Sequence, residues 1–344
     1  MIGMAFVRLT QLDGKLPNIA LMRLSGWHRK RGDMPIFSRK PTRDLYEPKF
    51  AAVYGSAIFS QSALVVETFR REFPTAVVGG TWCVSDTIKV EDIIDEDCGL
   101  DYYIYPNFKS SIGFTQRGCR LKCGFCVVPK KEGKPVSVST INEIWRGHIY
   151  PKHIHLLDND FFGQPRDQWE ARIDEIKSGG FKVCFNQGIN IRMIGEAEAS
   201  ALGSIKCFDD SFKTRRLYTA WDNIGEEAAF LRGVELLSKH GVPPSALLVY
   251  MLIGYDKRET WERVLYRFNR MAALGIRPFP MIYGNRNRTL PNGGANGDFK
   301  NKTLANFQRW AVRRLYTVVG FEDYDASKRG ASAPHADLFN EATP

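Results

Sequence analysis

Three cysteines, Cys119, Cys123 and Cys126, lie close together in the segment RGCRLKCGFC at 117–126, although the whole chain has only seven. Thiolates at this spacing can converge on one soft metal centre. A structural zinc site uses four protein ligands, whereas three thiolates can hold a [4Fe–4S] cluster and leave one iron open. The segment therefore predicts an iron–sulfur centre with a free coordination position.

A zinc site is the alternative interpretation of the same cysteines. His148, His153 or His155 could supply the missing ligand. The protein would then be a non-catalytic, zinc-stabilised nucleic-acid-binding module. Zinc sites of this kind belong to small modules, whereas these cysteines precede a long series of strand and helix patterns. The iron–sulfur interpretation is therefore favoured.

The rest of the composition points to reduced thiols. The N-terminal segment has apolar patches interrupted by charges, without a secretory core or a membrane span, so we expect a cytoplasmic protein with no membrane partner. An odd, unevenly spaced set of cysteines in that compartment favours metal binding over disulfides. The cysteines outside the segment are scattered, and we expect them to be small buried hydrophobic residues: Cys83, Cys98, Cys184 and Cys207.

The formal net charge is +10, from 48 basic and 38 acidic residues. The basic residues form short runs at 28–31, 213–216 and 309–314. We interpret these runs as solvated helix faces with a few anion contacts. Nucleic acid is therefore a possible partner that the sequence does not favour, and an anionic substrate is consistent with the charge.

The elements that must position the cysteines are those of an α/β protein. Residues 111–284 alternate between apolar strands and amphipathic helices, which predicts a parallel sheet with its chemistry at the carboxyl ends of the strands. The predicted strands lie at 111–117, 153–160, 182–189, 215–223, 246–254 and 278–284. The predicted helices lie at 140–149, 165–180, 225–241 and 258–275, the first opening with a Thr140-x-x-Glu143 capping box.

The chain divides into three predicted parts. Residues 1–110 contain helix, strand, helix and strand patterns at 17–33, 49–59, 62–74 and 75–80, as in a Rossmann-like α/β domain. Residues 111–284 form the second domain, with the cysteines on the loop after its first strand. Residues 285–344 are predicted to be an Asn/Gly-rich loop, a closing helix and a loose tail.

Cys119-Arg-Leu-Lys-Cys123-Gly-Phe125-Cys126 resembles the CxxxCxΦC signature of the radical S-adenosylmethionine (SAM) superfamily, with Phe125 as the aromatic Φ. The resemblance implies a partial (β/α)6 barrel over 111–284, and residues 1–110 are more loosely similar to the cobalamin-binding domain that often precedes such barrels. It also implies a [4Fe–4S] cluster on the three cysteines, SAM on the open iron and an electron donor such as flavodoxin or ferredoxin. The reaction would cleave SAM to a 5′-deoxyadenosyl radical that takes hydrogen from an unidentified substrate.

The same resemblance suggests which residues contact SAM at the strand ends. Asp158 and Asp160 replace the acidic stretch that usually receives the SAM amino group, although Asp160 also suits a helix N-cap. Arg192 suits the carboxylate, although a surface ion pair is an equally ordinary role. The apolar residues at the later strand ends also suit the barrel core. The predicted contacts are Phe125, Asp158, Asn159, Asp160, Asn186, Gln187, Arg192, Trp221, Asp222, Ile253 and Gly254.

The chemistry after hydrogen abstraction stays open. Within the family that the chain resembles, a sulfur-inserting enzyme of the methylthiotransferase type would be expected to carry a second cluster-binding set of cysteines and a C-terminal RNA-binding barrel. The sequence shows neither, so sulfur insertion is disfavoured. Methyl transfer with cobalamin would suit the first domain, but the Asp-x-His-x-x-Gly motif for the lower ligand is absent. His28, the domain's only histidine, is predicted to lie on a helix surface. The domain therefore binds a corrinoid without that ligand or has lost cobalamin.

Overall fold

The computed structural model describes residues 4–82 and 88–327. These residues form two compact units, with the boundary between Lys109 and Ser110. Both are α/β units with mostly parallel sheets, as the sequence predicts. Residues 285–327, predicted as a separate segment, belong to the second unit. Among the described residues, no helix has the length and hydropathy that crossing a membrane requires.

The first unit is a parallel four-stranded sheet in the order β2-β1-β3-β4. Its strands are β1 Phe6–Gln11, β2 Met34–Ser38, β3 Ala52–Ala57 and β4 Val77–Gly80, and its helices are α1 Ile19–Lys30 and α2 Ala63–Glu72. The sequence indicated β3, β4 and both helices but neither β1 nor β2. The apolar pattern of β1 is interrupted by Arg8, which is fully buried and pairs with Glu47.

His28 and Gly80 of the first unit are both held by contacts within that unit. His28 is not a surface residue, because it is buried with Nδ1 2.7 Å from the Asp33 carboxylate and Nε2 3.2 Å from the Tyr54 hydroxyl. Gly80 has φ +107°, and an added Cβ would lie 1.8 Å from the Ala57 carbonyl oxygen. The glycine is therefore required by the close approach of the unit's own backbone.

The second unit contains all six strands predicted for it. Its strands are β5 Ser111–Gly113, β6 Gln116–Arg117, β7 Val136–Ser137, β8 His153–Leu156, β9 Lys182–Phe185, β10 Lys206–Cys207, β11 Leu217–Ala220, β12 Leu247–Ile253 and β13 Arg277–Ile282. Its helices are α3 Val128–Lys131, α4 Ile141–Ile144, α5 Arg166–Gly179, α6 Glu196–Ser204, α7 Glu227–Lys239, α8 Trp261–Ala273 and α9 Leu304–Val312.

The long strands of the second unit follow one another in chain order. One parallel sheet has the order β10-β9-β8-β5 and another has the order β11-β12-β13, while β6 and β7 form a small antiparallel pair. A parallel bridge between Ile189 and Thr219 joins the two parallel sheets. The carboxyl ends of β5, β8, β9, β11, β12 and β13 therefore point the same way, as chemistry at one end of a parallel sheet requires.

Helix ends and strand alternation explain this arrangement. The predicted capping box is present, since Thr140 Oγ1 accepts the Glu143 N–H at 3.1 Å and the Glu143 carboxylate accepts the Thr140 N–H at 2.8 Å. α5 ends at Gly180, which has φ +68°. Ile154 and Val183 on neighbouring strands pack into the main core of the unit. Successive strand residues point to opposite faces, so the residues next to Ile154 and to Val183 on their own strands line the other face of the sheet.

The remaining cysteines mostly lie where expected. Cys184 and Cys207 are buried, and burial raises the pKa of Cys207 to about 12. Cys98 is only half-buried, contrary to expectation, while Cys83 lies outside the described residues. The predicted loose tail also lies largely outside the described residues.

Candidate functional site at the cysteine loop

The three clustered cysteines occupy residues 118–127, which we call the cysteine loop, between β6 and α3. All three are half-buried. The Cys119 sulfur accepts the Leu121 N–H at 3.4 Å, and the Cys126 N–H donates to the Cys123 carbonyl at 3.0 Å. The Cys119 N–H also donates to the Gly133 carbonyl at 3.2 Å, which ties the start of the loop to the turn after α3.

Burial and neighbouring negative charge act on the thiols. Burial raises the pKa of Cys119 and of Cys126; Cys123 raises both further, and Cys126 also raises that of Cys119. Asp160 adds to this effect at Cys119, and Glu132 and Asp222 add to it at Cys126. Thiolates at these positions therefore need a cationic centre to stabilise them, as a cluster or metal ion would.

The donor set matches a [4Fe–4S] cluster in chemistry: three thiols on one short loop, close enough for their charges to interact. Within residues 4–82 and 88–327, however, no three His, Cys, Asp or Glu side chains are arranged to hold a metal ion. The loop supplies suitable ligands whose sulfurs are not gathered around a common point.

Three consecutive residues after β8 anchor the segment that carries the cysteines. The Asp158 carboxylate accepts the Thr115 N–H at 2.6 Å, the Thr115 hydroxyl at 2.5 Å and the Gln116 N–H at 3.0 Å. Asn159 Nδ2 donates to Glu132 at 2.7 Å. The Asp160 carboxylate accepts Arg120 Nε at 2.8 Å. The exit of the second long strand therefore fixes the cysteine loop from both sides.

These contacts bear on the expected SAM ligands. Burial raises the pKa of Asp158 to about 6 despite its hydrogen bonds, and its oxygens are already used by the chain. Asp160 precedes a short 3-10 turn but makes no side-chain cap, because its carboxylate pairs with Arg120 instead. The geometry therefore favours a positioning role for both residues, and recognition of the SAM amino group by them stays a prediction.

Glu132 is a second anchor, which the sequence did not single out. It accepts Arg117 Nε at 2.9 Å and Arg117 Nη2 at 2.8 Å, together with the Gly118 N–H at 3.2 Å. Burial acts to raise the pKa of Glu132, but the Arg117 contacts outweigh it and hold the pKa below its ordinary value. A lone acid within the basic stretch KKEGK was the available signal.

The three predicted SAM contacts after β9 lie in different surroundings. Asn186 Oδ1 lies 3.2 Å from His155 Nδ1, and Gln187 is exposed. Arg192 pairs with Glu226, so the ion-pair alternative is what the structure contains. Burial acts to lower the pKa of Arg192, but Glu226 and then Cys123 outweigh it and raise the pKa. Arg192 is therefore brought to the cysteine loop, beside Cys123.

The predicted contacts after β11 and β12 are mostly core residues. Trp221 is fully buried and stacks on Phe230 with ring centroids 4.7 Å apart. Ile253 is also fully buried, and Gly254 is buried with φ +87°. Asp222 accepts the Leu252 N–H at 2.8 Å, and burial raises its pKa. Of this group, Asp222 lies near enough to act on Cys126.

Phe125 contacts a residue that the sequence did not single out. Its ring meets Tyr255 edge-on, with centroids 5.3 Å apart. A Cβ added at Gly124 would lie 2.4 Å from the Tyr255 hydroxyl. The cysteine loop therefore packs directly against the end of β12, and an aromatic residue immediately after Gly254 was the only signal in the sequence.

A buried arginine fixes the ends of β11 and β12. Arg267 of α8 donates to the Trp221 and Asp222 carbonyls at 3.0 Å each and pairs with Glu259 at 2.5 Å. Glu259 also accepts the Gly254 N–H. These interactions set the strand ends against which the cysteine loop packs.

The histidines of the zinc alternative are engaged elsewhere. His153 stacks on Phe212 at 4.5 Å, His155 meets the same ring edge-on at 4.8 Å, and His148 meets Trp145 at 5.1 Å. Burial lowers the pKa of His155 to about 4.

No protein-family model, curated protein or solved structure matches the chain. The residues and their geometry are therefore the evidence for function.

Proposed function

We propose that this chain is a radical SAM enzyme whose second unit is a partial (β/α)6 barrel carrying a [4Fe–4S] cluster on Cys119, Cys123 and Cys126. The observation that carries the proposal is the position of these thiols. They lie on a loop between β6 and α3, just beyond the carboxyl end of β5, which is the first of seven parallel strands in chain order. The chain's reactive side chains thus collect where parallel α/β architectures place their chemistry.

The protein's own residues have three tasks in this proposal. Asp158, Asn159 and Asp160 hold the cysteine loop in place, as Glu132 does through Arg117. Arg192 supplies a cation beside Cys123 that suits the carboxylate of SAM. Phe125 and Tyr255 hold the loop against the end of β12 through their edge-on ring contact.

The bound cluster would supply the electron that cleaves SAM reductively, and a donor such as flavodoxin or ferredoxin would reduce the cluster again. The substrate whose hydrogen is taken stays unidentified.

Cobalamin-dependent methyl transfer receives no support from His28, since both ring nitrogens already have partners within the first unit. Both alternatives, a corrinoid bound without a histidine ligand and a domain that has lost cobalamin, are compatible with these contacts. Anaerobic titration with hydroxocobalamin, followed by gel filtration and a visible spectrum, distinguishes them. Stoichiometric retention would restore methyl transfer as the leading reaction.

The test of the main proposal is anaerobic reconstitution with iron and sulfide, followed by metal analysis and an assay for 5′-deoxyadenosine. We expect about four irons and four sulfides per chain and SAM cleavage after reduction. Substituting any one of the three loop cysteines by Ala should abolish cleavage, while Cys98→Ala, outside the loop, should leave it intact. One zinc per chain without iron or sulfide would instead establish the zinc-stabilised module.

A further inference from the structure

Two basic runs that are far apart in the sequence meet in the second unit. KTRR at 213–216 and RWAVRR at 309–314 each contribute one arginine beside a third, Arg277. Arg216 immediately precedes β11, Arg277 opens β13, and Arg314 follows α9. Arg216 Nη1 donates to the Ser245 carbonyl at 3.1 Å, so its side chain lies over the start of β12, between the other two strands.

Arg277 and Arg314 both lie close enough to Arg216 for their charges to act on its guanidinium group. Burial lowers the pKa of Arg216, and the charges of Arg277 and Arg314 lower it further. Arg277 is half-buried and Arg314 is exposed, so solvent reaches both. Like charges gathered this way are unfavourable unless an anion compensates them.

No carboxylate of the described residues pairs with these arginines. Arg216 donates only to backbone carbonyls, and neither Arg277 nor Arg314 has a side-chain partner in the described part of the chain. Asp209 is near enough to act on Arg216, but its Oδ1 accepts the Ser211 hydroxyl and the Lys213 N–H within its own turn. Other arginines of the unit do pair with acids: Arg117, Arg120, Arg166, Arg172, Arg192, Arg267 and Arg270.

The backbone at Arg314 is a second, independent observation. Its φ of +59° places it in the left-handed region just after α9, a position that glycine ordinarily fills. A residue with a Cβ costs about 1–2 kcal/mol there. An arginine is therefore placed beside two others at the expense of local backbone strain.

We propose that Arg216, Arg277 and Arg314 form a binding site for a phosphate-bearing ligand at the amino ends of β11, β12 and β13. The planar fork of each guanidinium matches phosphate oxygens, and three such groups on neighbouring elements can together bind one pyrophosphate or successive phosphates of a nucleic-acid strand. The site lies at the strand ends opposite those where the chain's candidate catalytic residues collect. Ligand binding at this site therefore does not depend on the proposed radical chemistry.

The test measures binding to the purified full-length protein at about 50 mM salt, where contacts to phosphates are strong. One arm uses a fluorescein-labelled single-stranded oligonucleotide in fluorescence anisotropy, and the other uses inorganic pyrophosphate in titration calorimetry. Arg277→Gln and Arg314→Gly should each weaken binding about tenfold, the loss expected for one charged hydrogen-bonding contact. Arg166→Gln removes the same charge from an exposed ion pair on α5 and should leave affinity unchanged.

Arg314→Gly separates binding from folding. Glycine relieves the left-handed strain, so the melting temperature should hold or rise while affinity falls. Binding of the oligonucleotide assigns the site to a nucleic-acid strand, and binding of pyrophosphate alone assigns it to a small phosphorylated ligand. Absence of binding in both arms, or equal affinities for Arg277→Gln, Arg314→Gly and Arg166→Gln, would overturn the proposal.

Discussion

At the scale of single residues, Asp158 shows how burial and hydrogen bonding compete. Three donors favour its ionised form, yet the side chain is 3% exposed, and desolvation dominates to raise its pKa. Both oxygens are committed to Thr115 and Gln116, just before the cysteine loop. Its ionisation is therefore coupled to the stability of that region.

Asp158→Asn should remove a specific pH dependence of stability. The folded-state pKa of about 6 exceeds the ordinary value of 3.8, so folding favours the protonated form. The raised pKa stabilises the folded state by about 3 kcal/mol below about pH 4, and this stabilisation is lost as the pH rises through 6. Asparagine keeps both N–H contacts and can donate to the Thr115 hydroxyl, so it preserves the geometry.

The measurement is urea unfolding of the parent and of the Asp158→Asn variant between about pH 4 and pH 7.5, the range that spans the titration. The free energy of unfolding of the parent should fall over this range relative to that of the variant. Parallel pH profiles would mean that Asp158 ionises normally in the folded state.

At the scale of elements, the cysteine loop depends on a close contact with the end of β12. Gly124 has no positive φ, so its backbone permits alanine, but the Tyr255 hydroxyl occupies the space for a Cβ. The Tyr255 ring carbon behind that hydroxyl would lie 3.6 Å from the added Cβ, an ordinary contact. An alanine at this position therefore requires the hydroxyl, at the end of an exposed side chain, to shift.

Gly124→Ala should destabilise the protein by about 1 kcal/mol and lower cluster retention after reconstitution, because the Tyr255 side chain must move away from the loop. Tyr255→Phe removes the obstructing hydroxyl, so the Gly124→Ala/Tyr255→Phe double variant should recover most of the loss. Chemical unfolding and iron content measure the two effects. Additive losses in the double variant would show that Gly124 is required for another reason.

The α8 contact with β11 and β12 depends on a buried ion pair. Glu259 is 6% exposed and binds both Arg267 and the Gly254 N–H. Glu259→Gln leaves a buried arginine without its counter-charge and should cost about 3–5 kcal/mol. Glu170→Gln, in the exposed Arg166 pair, should cost less than about 1 kcal/mol. Similar urea midpoints for the two variants would contradict this assignment.

At the scale of the whole molecule, two compact units divide the chain, and the candidate cluster ligands all lie in the second. A cofactor that binds the folded state alone stabilises it by about 2.7 kcal/mol at a hundred times its dissociation constant. The effect of the cluster on stability should therefore belong to the second unit.

Anaerobic calorimetry of reconstituted and chelator-treated protein tests this. Cluster removal should lower the melting temperature of the transition assigned to the second unit by about 5–10 °C and leave the other transition in place. The Cys119→Ala/Cys123→Ala/Cys126→Ala variant should not respond to the chelator. A chelator effect that persists in this variant would place the metal elsewhere in the chain.

The sequence alone determined the α/β class, six strands of the second unit and the clustering of the three thiols, because hydrophobic periodicity and residue spacing are local properties. It did not reveal β1 and β2 of the first unit, and the buried Arg8 of β1 depends on a partner 39 residues away. Only the tertiary structure decided what the strand-end side chains do. Asp158 and Asp160 anchor the cysteine loop, Trp221 and Ile253 fill the core, and three arginines from distant segments meet. Such roles depend on which groups desolvate or pair with one another across separate elements, and neighbouring residues along the chain do not encode those contacts.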